Sequence, residues 1–132
     1  MSYLLDTDIV SAHLKTNRRV TDRILQYLGR VHVSVITVGE LTTWARRKQA
    51  SRSRVMELDA FLQDATILPV TEMIARHFGA LRAELLDIGR PTPTMDLWIA
   101  ATALVHNLTL VTHNQQDFAH IPGLSLVDWT VE

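Results

Sequence analysis

Short apolar runs with the character of strands alternate along this chain with longer segments of helical periodicity. The strand candidates are residues 3–5, 31–35, 67–68, 108–111 and 124–127. Strands that are separated by helices pair in parallel, because each helical connection returns the chain to the same edge of the sheet. The alternation therefore predicts an α/β fold, a three-layer α/β/α sandwich with a short central parallel sheet. With no internal repeat or long linker, we expect one domain over residues 1–132.

Cap-forming side chains predict where the helices begin, and glycines predict where two of them end. The predicted caps are Asp8, Thr37, Thr71 and Thr94, and the predicted ends are Gly29 and Gly89. The helix that begins at Thr37 is expected to continue through Arg46-Arg47-Lys48. Residues 115–118 predict a single helical turn.

Four acidic residues, Asp6, Glu40, Asp96 and Asp117, each follow a strand-like run. The carboxyl ends of parallel strands converge on one edge of a sheet, so these side chains are expected to meet there. At about 5 Å and a dielectric of about 20, each carboxylate pair repels by roughly 3 kcal/mol. Protons or a divalent cation must offset that repulsion, and oxygen ligands favour Mg²⁺ or Mn²⁺. The pattern predicts the site of a metal-dependent nuclease.

Each acid also has a local explanation. Thr37-x-x-Glu40 is a capping box, in which the glutamate bonds back to the cap residue. Asp96 in the first turn of a helix gains from the helix dipole. Asp117 lies three residues after Asn114, which is the spacing between a helix cap and an acid in the third helical position. Asn114 can also bind a metal through its carbonyl oxygen or hold an attacking water.

One other enzyme class, one signalling domain and one binding module compete with the nuclease. Asp6-Thr7-Asp8 also opens haloacid-dehalogenase-type phosphatases, where the second Asp is an acid, but such enzymes and receiver-like signalling domains need a later Lys and none follows Lys48. A catalytically weak RNA-binding or antitoxin-binding module would keep the fold and tolerate loss of Asp96. There is no His-Glu-x-x-His zinc motif and no Gly-rich phosphate loop.

The charges are unevenly distributed. Residues 1–54 hold ten of the 13 Lys and Arg residues but only four of the 14 Asp and Glu residues. The densest stretch is Arg46, Arg47, Lys48, Arg52 and Arg54. It is either a solvated helix face or a phosphate-binding surface beside the acids. Thr7, next to Asp6, is a further candidate RNA contact.

Four segments in order along nearly the whole chain resemble the PIN domains, and among them the VapC-type toxins of bacterial toxin–antitoxin pairs. They are Tyr3-Leu4-Leu5-Asp6-Thr7-Asp8, Ser34-Val35-Ile36-Thr37-Val38-Gly39-Glu40-Leu41, Asp96-Leu97-Trp98-Ile99-Ala100-Ala101 and Leu110-Val111-Thr112-His113-Asn114-Gln115-Gln116-Asp117-Phe118. The ending from Ile121-Pro122-Gly123-Leu124 to Asp128-Trp129 is similar to the same subgroup.

This resemblance implies a metal-dependent endoribonuclease whose core ligands are Asp6, Glu40 and Asp96. Many relatives have Asp where this chain has Asn114, so the resemblance leaves open whether Asn114 or Asp117 fills the fourth position and whether one or two ions bind. It further implies a homodimer that is inhibited by a small VapB-type antitoxin, and hydrolysis of RNA by a metal-activated water. The absence of cysteine and of a signal-peptide pattern favours the cytoplasm.

Overall fold

The computed structural model describes residues 1–131 and has a five-stranded sheet at its centre. The strands are β1 (Tyr3–Leu5), β2 (Val31–Ser34), β3 (Thr66–Leu68), β4 (Thr109–Val111) and β5 (Leu126–Val127). Their order across the sheet is β3-β2-β1-β4-β5, and every neighbouring pair is parallel. The direction of winding reverses beside β1, since β2 lies on one side of it and β4 on the other. A crevice at the carboxyl ends of β1 and β4 is therefore where this topology favours a site.

Seven α-helices connect and cover the strands within the described residues. They are α1 (Thr7–Leu14), α2 (Arg18–Gln26), α3 (Val35–Ala45), α4 (Ser53–Asp64), α5 (Glu72–Asp87), α6 (Thr94–Val105) and α7 (Gln115–Phe118). A 3₁₀ turn, Leu28–Arg30, leads into β2. None of these helices has the length and apolar character needed to cross a membrane.

Successive side chains of β1 point to opposite faces of the sheet, and each face has its own hydrophobic core. Leu5 packs into a core with α1 to α4, whereas Leu4 packs into a core with α5, α6 and α7. Both leucines are fully buried, as expected for a central strand whose two faces are covered by helices. This arrangement confirms the three-layer α/β/α architecture with a short parallel sheet.

Several helix boundaries differ from those predicted. Helix α1 is capped by Asp6 rather than by Asp8, and α3 is capped by Ser34, whose hydroxyl accepts a hydrogen bond from the backbone N–H of Ile36 at 3.1 Å. Pro93 precedes α6, so Thr94 is its first residue and not its cap. The physical reason is the same in all three cases. The backbone becomes helical directly after Asp6, Ser34 or Pro93, so the residue that was expected to cap the helix lies inside it.

Two helices also end before the predicted residue. Helix α2 ends at Gln26, and Gly29 lies in the 3₁₀ turn. Helix α3 ends at Ala45, so the Arg46-Arg47-Lys48 triplet lies in the connection to α4. By contrast, Thr71 caps α5, and Gly89 follows that helix with a φ of 73°, as predicted for the residue past a helix end.

Candidate active site

Asp6 lies directly after β1 and is 7% exposed. Its Oδ1 accepts a hydrogen bond from the backbone N–H of Thr7 at 2.8 Å, and its Oδ2 accepts one from the Thr112 hydroxyl at 2.9 Å. Burial raises the pKa of Asp6 to about 7, the negative charge of Asp8 adds to the rise, and the two hydrogen bonds oppose it. A carboxyl that is held this way in a low-dielectric site binds either a proton or a cation strongly.

Glu40 reaches the same edge of the sheet from α3, because that helix begins immediately at the end of β2. Its Oε1 accepts a hydrogen bond from the Thr7 hydroxyl at 2.7 Å, and the Thr7 oxygen lies 3.1 Å from the hydroxyl oxygen of Thr37. Thr37 is buried inside α3. The predicted Thr37–Glu40 capping box is therefore wrong, since Ser34 caps the helix. The glutamate side chain is free to face Asp6 and its neighbours.

Asp96 lies in the first turn of α6 and is partly buried. Burial raises the pKa of Asp96, and the charges of Asp117, Glu40 and Asp8 raise it further. The fold thus places acidic groups from α1, α3, α6 and α7 in one electrostatic cluster. Asp6 belongs to the same cluster through Asp8 and Asp96.

Asn114 and Asp117 lie at the exposed rim of this cluster, before and within α7. Asn114 occupies the cap position of α7 but makes no side-chain capping bond. The backbone N–H of Asn114 instead donates to the Thr112 hydroxyl at 3.1 Å. The amide side chain of Asn114 does not cap α7 and is therefore available to take part in the site.

The sequence predicts that Asp8 caps a helix, but in the structure Asp8 has a different role. It is the second residue of α1, and its Oδ2 accepts a hydrogen bond from the backbone N–H of His113 at 3.2 Å. Its Oδ1 is buried and has no hydrogen-bond partner among the described residues. Burial raises the pKa of Asp8, while the backbone N–H groups of His113, Ile9 and Asn114 oppose that rise.

The donor set fits a hard divalent cation. Within residues 1–131, no three His, Cys, Asp or Glu side chains converge closely enough to hold one ion by direct contact alone. A buried carboxylate oxygen without a partner, Asp8 Oδ1, is nevertheless the kind of atom that an ion or its bound water satisfies. Mg²⁺ keeps several waters and is often held by only one or two carboxylates, so a partly hydrated ion suits this set of oxygen donors.

Thr112 is a site residue that the sequence interpretation passed over. It follows β4 directly, is fully buried, and donates to Asp6 across a separation of 106 residues. The signal that identified Asp6, a polar residue at the end of an apolar strand, applies equally to Thr112. Two adjacent strands thus each place one polar side chain at the point where the winding reverses.

The basic residues lie at the α3–α4 connection. Arg46, Arg47, Lys48 and Arg52 are exposed. Arg54 is partly buried, with its guanidinium 4.5 Å from the ring centroid of Trp44. A pocket of about 530 Å³ is lined by Arg47, Lys48, Gln49, Ala50 and Arg54. Cations therefore surround a concave surface that begins at the end of the helix carrying Glu40.

Comparisons with known proteins agree on one family. The family model described as the PIN domain matches residues 3–124. Ribonuclease VapC1 of Haemophilus influenzae (strain R2866) is 34% identical over 133 residues, which cover 98% of this chain and 99% of that protein. The tRNA(fMet)-specific endonuclease VapC of Shigella flexneri is 30% identical over 131 residues, with 98% and 99% covered.

A solved structure extends this similarity to the whole fold. The DNA-bound VapBC from Salmonella typhimurium contains a chain that superposes with a TM-score of 0.92 at 29% identity, and 98% of each chain is covered. The similarity therefore includes the strand order and the helices that carry the acidic cluster.

Proposed function

Because this chain belongs to the PIN domain family, and within it to the VapC-type ribonucleases, we propose that it is a divalent-metal-dependent endoribonuclease toxin. The single observation that carries the proposal is the cluster of mutually repelling carboxylates at the carboxyl edge of the sheet, in which Asp6 is buried and Asp8, Glu40 and Asp96 are partly buried. Such a cluster costs stability in the absence of a cation, and nothing in the packing of the fold requires it.

We assign separate roles to the carboxylates. Asp6 anchors the ion, since Thr7 and Thr112 hold its two oxygens in fixed directions. Glu40 and Asp96 complete the shell, directly or through water. Asp117 and Asn114, at the exposed rim, orient the water that attacks the phosphodiester.

Mg²⁺ or Mn²⁺, when bound, supplies Lewis-acid activation of the attacking water and neutralises charge on the phosphate. The protein contributes the fixed positions. The Thr7 hydroxyl holds Glu40 by a hydrogen bond. We therefore assign Thr7 as a positioning residue for that carboxylate instead of the RNA contact expected from the sequence. Hydrolysis by water leaves a 5′-phosphate and a 3′-hydroxyl.

RNA is held, in this proposal, by the cations of the α3–α4 connection. Arg46, Arg47, Lys48 and Arg52 are free to track phosphates, whereas Arg54 lies against the Trp44 ring and shapes the pocket from one side. Lys and Arg supply most sequence-independent affinity for nucleic acid. A structured RNA such as tRNA is a suitable substrate class, given the tRNA-specific relative.

A small VapB-type antitoxin is the protein partner that the VapBC structures support. We propose that its tail blocks the acidic cluster with a basic side chain, since a cation placed there offsets the carboxylate repulsion as a metal ion does. The family also supports a homodimer. The cytoplasm is the compartment we propose for a toxin whose substrate is RNA.

The test compares wild type with Asp96→Asn in bacteria. Wild type is expected to arrest growth and fragment RNA with 5′-phosphate ends, whereas the variant, which keeps the size of the side chain but loses its charge, is expected to do neither. Equal toxicity of the two proteins would favour a binding module that sequesters RNA without cutting it. Recovery of 2′,3′-cyclic phosphate ends would exclude attack by water, because those ends require attack by the ribose.

A further inference from the structure

The segments that carry Asp96 and Asp117 are tied together by a hydrogen bond outside the acidic cluster. The hydroxyl oxygen of Thr92 lies 2.6 Å from Nε2 of His120. Thr92 is in the loop between α5 and α6, and His120 follows α7. Both side chains are partly buried, and they lie 28 residues apart in the sequence.

The other hydrogen-bond partners of the two side chains are few. The Thr92 hydroxyl also lies 3.4 Å from the carbonyl oxygen of Arg90. It lies much closer to Nε2 of His120, so the bond to the ring is its stronger contact. The other ring nitrogen, Nδ1, is buried without a hydrogen-bond partner in the described part of the chain. Among the described residues, Thr92 is thus the one hydrogen-bond partner of the His120 ring.

Both ends of the bond are close to an acidic residue of the site. Thr92 precedes Asp96 by four residues, and the intervening Pro93 has a φ of −52° and gives α6 no side-chain capping bond. His120 follows Asp117 by three residues, about one helical turn. A proline-stiffened loop transmits a displacement of Thr92 to the start of α6 instead of absorbing it.

The apolar contacts of α7 and the Thr92–His120 hydrogen bond affect the placement of α7 in different ways. Phe118 and Ile121 are buried in the same core as Leu97 of α6, and they hold α7 against α6. Apolar packing is non-directional, so it fixes the distance between two helices better than their relative rotation. The hydrogen bond supplies the direction.

An opposing force acts between the two segments. Partly buried Asp96 and exposed Asp117 carry like charges, and of the neighbouring charges that act on Asp96 the largest effect comes from Asp117. This repulsion pushes the start of α6 away from α7 whenever no cation lies between them.

We propose that the Thr92–His120 hydrogen bond is a clamp that sets the separation of Asp96 and Asp117 before the cation binds, and that His120 and Thr92 are therefore positioning residues for metal binding. The inference rests on the proposed function, because it assumes that these two carboxylates serve a cation. It adds a threonine and a histidine to a site that is otherwise described by its acids.

The experiment measures Mn²⁺ affinity by calorimetry and the steady-state cleavage of RNA for the full chain made by cell-free synthesis. Thr92→Val keeps the shape of the side chain and removes the hydroxyl, and His120→Leu removes the ring nitrogen. Each is expected to weaken Mn²⁺ binding about 3- to 10-fold, the loss that corresponds to one hydrogen bond. The effect on cleavage is expected in kcat rather than KM, since the RNA-binding cations are not displaced.

Two further variants separate a positioning role from a merely structural one. His120→Gln places a side-chain N–H within reach of Thr92 and is expected to recover most of the Mn²⁺ affinity. His106→Leu changes an exposed histidine at the other end of α6 and is expected to match wild type. Wild-type Mn²⁺ affinity and kcat in both Thr92→Val and His120→Leu would overturn the clamp. Equal losses in His120→Gln and His120→Leu would also overturn it.

Failure of the clamp is distinguishable from failure of the proposed function. The function itself fails if wild type binds no Mn²⁺, or if Asp96→Asn binds Mn²⁺ as tightly as wild type does, and the clamp then falls with it. If Asp96→Asn abolishes binding while the clamp variants bind normally, the function stands and the clamp alone is wrong.

Discussion

At the scale of single residues, the contact between Thr7 and Glu40 distinguishes a functional carboxylate from a structural one. Glu40 does not cap its own helix, and its one hydrogen bond within the described residues comes from Thr7, 33 positions earlier. Among the described residues, Glu40 has no ion-pair partner of opposite charge. Under the proposed function we expect this carboxylate to serve the bound cation.

Glu40→Gln is expected to reduce RNA cleavage by at least about 100-fold while leaving the melting temperature of the metal-free protein equal or higher. Glutamine keeps an oxygen that accepts from Thr7 but removes the charge, so it also relieves repulsion with Asp96. Thr7→Val keeps the charge, loses the positioning bond and is expected to reduce cleavage by about 10-fold. Cleavage rates and thermal denaturation measure both effects, and retained cleavage in Glu40→Gln would count against its assignment as a ligand.

The raised pKa of Asp6 makes stability depend on pH. Its pKa is about 7 in the folded protein against an ordinary value of 3.8, so folding takes up a proton between those pH values. Stability therefore falls as the pH rises from about 4 to about 7, and the penalty stays in full above that. A rise of the pKa from 3.8 to about 7 corresponds to about 4 kcal/mol of unfolding free energy.

We expect the metal-free protein to melt at a higher temperature at pH 5 than at pH 8, and Asp6→Asn to flatten this difference. Mn²⁺ is expected to recover the stability lost at pH 8, because the ion binds the ionised carboxylate and releases a proton. Thermal denaturation in EDTA and in Mn²⁺ at both pH values measures this. An unchanged pH profile in Asp6→Asn would show that another group is responsible.

At the scale of secondary-structure elements, the start of α3 determines where Glu40 points. The helix follows β2 without a loop, and the fully buried Ser34 ends the strand and caps the helix at once. Ser34→Ala is expected to cost about 1 kcal/mol of unfolding free energy, the usual loss for a removed cap. Thr43→Ala, in the same helix but with an exposed hydroxyl bonded to Gly39, is the matched control and is expected to change stability by less than about 0.5 kcal/mol. Urea denaturation that gave equal losses for the two variants would contradict the capping role of Ser34.

The elements themselves were predictable, but several of their boundaries were not. Alternating apolar runs and helical periodicity identified all five strands and the sandwich, since these patterns report burial on two faces. The caps failed because Ser34 and Thr37 are both good capping types, and a local rule cannot rank them. Thr37 is needed inside the helix, where its hydroxyl meets Thr7. Tertiary contact decided between two residues that the local sequence treats alike.

The same limit applies to the site. The pattern of an acid after a strand-like run predicts Asp6, Glu40, Asp96 and Asp117 together, and the family resemblance implies that Asp6, Glu40 and Asp96 are the core ligands. The contacts that hold these acids, such as Thr112 to Asp6, join residues that are far apart along the chain. Asp8 was interpreted as a cap because Asp at a helix start usually is one. Among the described residues its Oδ1 is buried without a hydrogen-bond partner, which depends on the packing of the His113 segment beside it and is not visible in the local sequence.

At the scale of the whole molecule, acidic and basic residues form two neighbouring surfaces. The acids converge at the carboxyl edge of the sheet, and the cations lie at the far end of α3, the helix that carries Glu40. Eleven residues make up this helix, so the two surfaces are separated by less than about 16 Å of helix axis. An RNA strand that is held by the cations can therefore extend to the acids over a few nucleotides.

The salt dependence of RNA binding tests this arrangement. In an Asp96→Asn background, where RNA is not cut, Arg47→Gln combined with Lys48→Gln removes two exposed cations that line the basic pocket. Each phosphate contact to a single strand contributes about 0.7 to the slope of log affinity against log salt concentration. The double variant is therefore expected to bind more weakly, with a slope reduced by about 1.4.

The matched control is Arg76→Gln combined with Arg82→Gln, which removes two exposed cations from α5 on the opposite side of the sheet. Its slope is expected to equal that of the Asp96→Asn parent. Fluorescence anisotropy with a labelled RNA between about 50 and 200 mM salt gives both slopes. If the two double variants lose affinity equally, the attraction comes from net charge alone, and the α3–α4 connection is not the RNA-binding surface. A loss confined to the first variant would place the strand along α3, leading from the cations to Glu40.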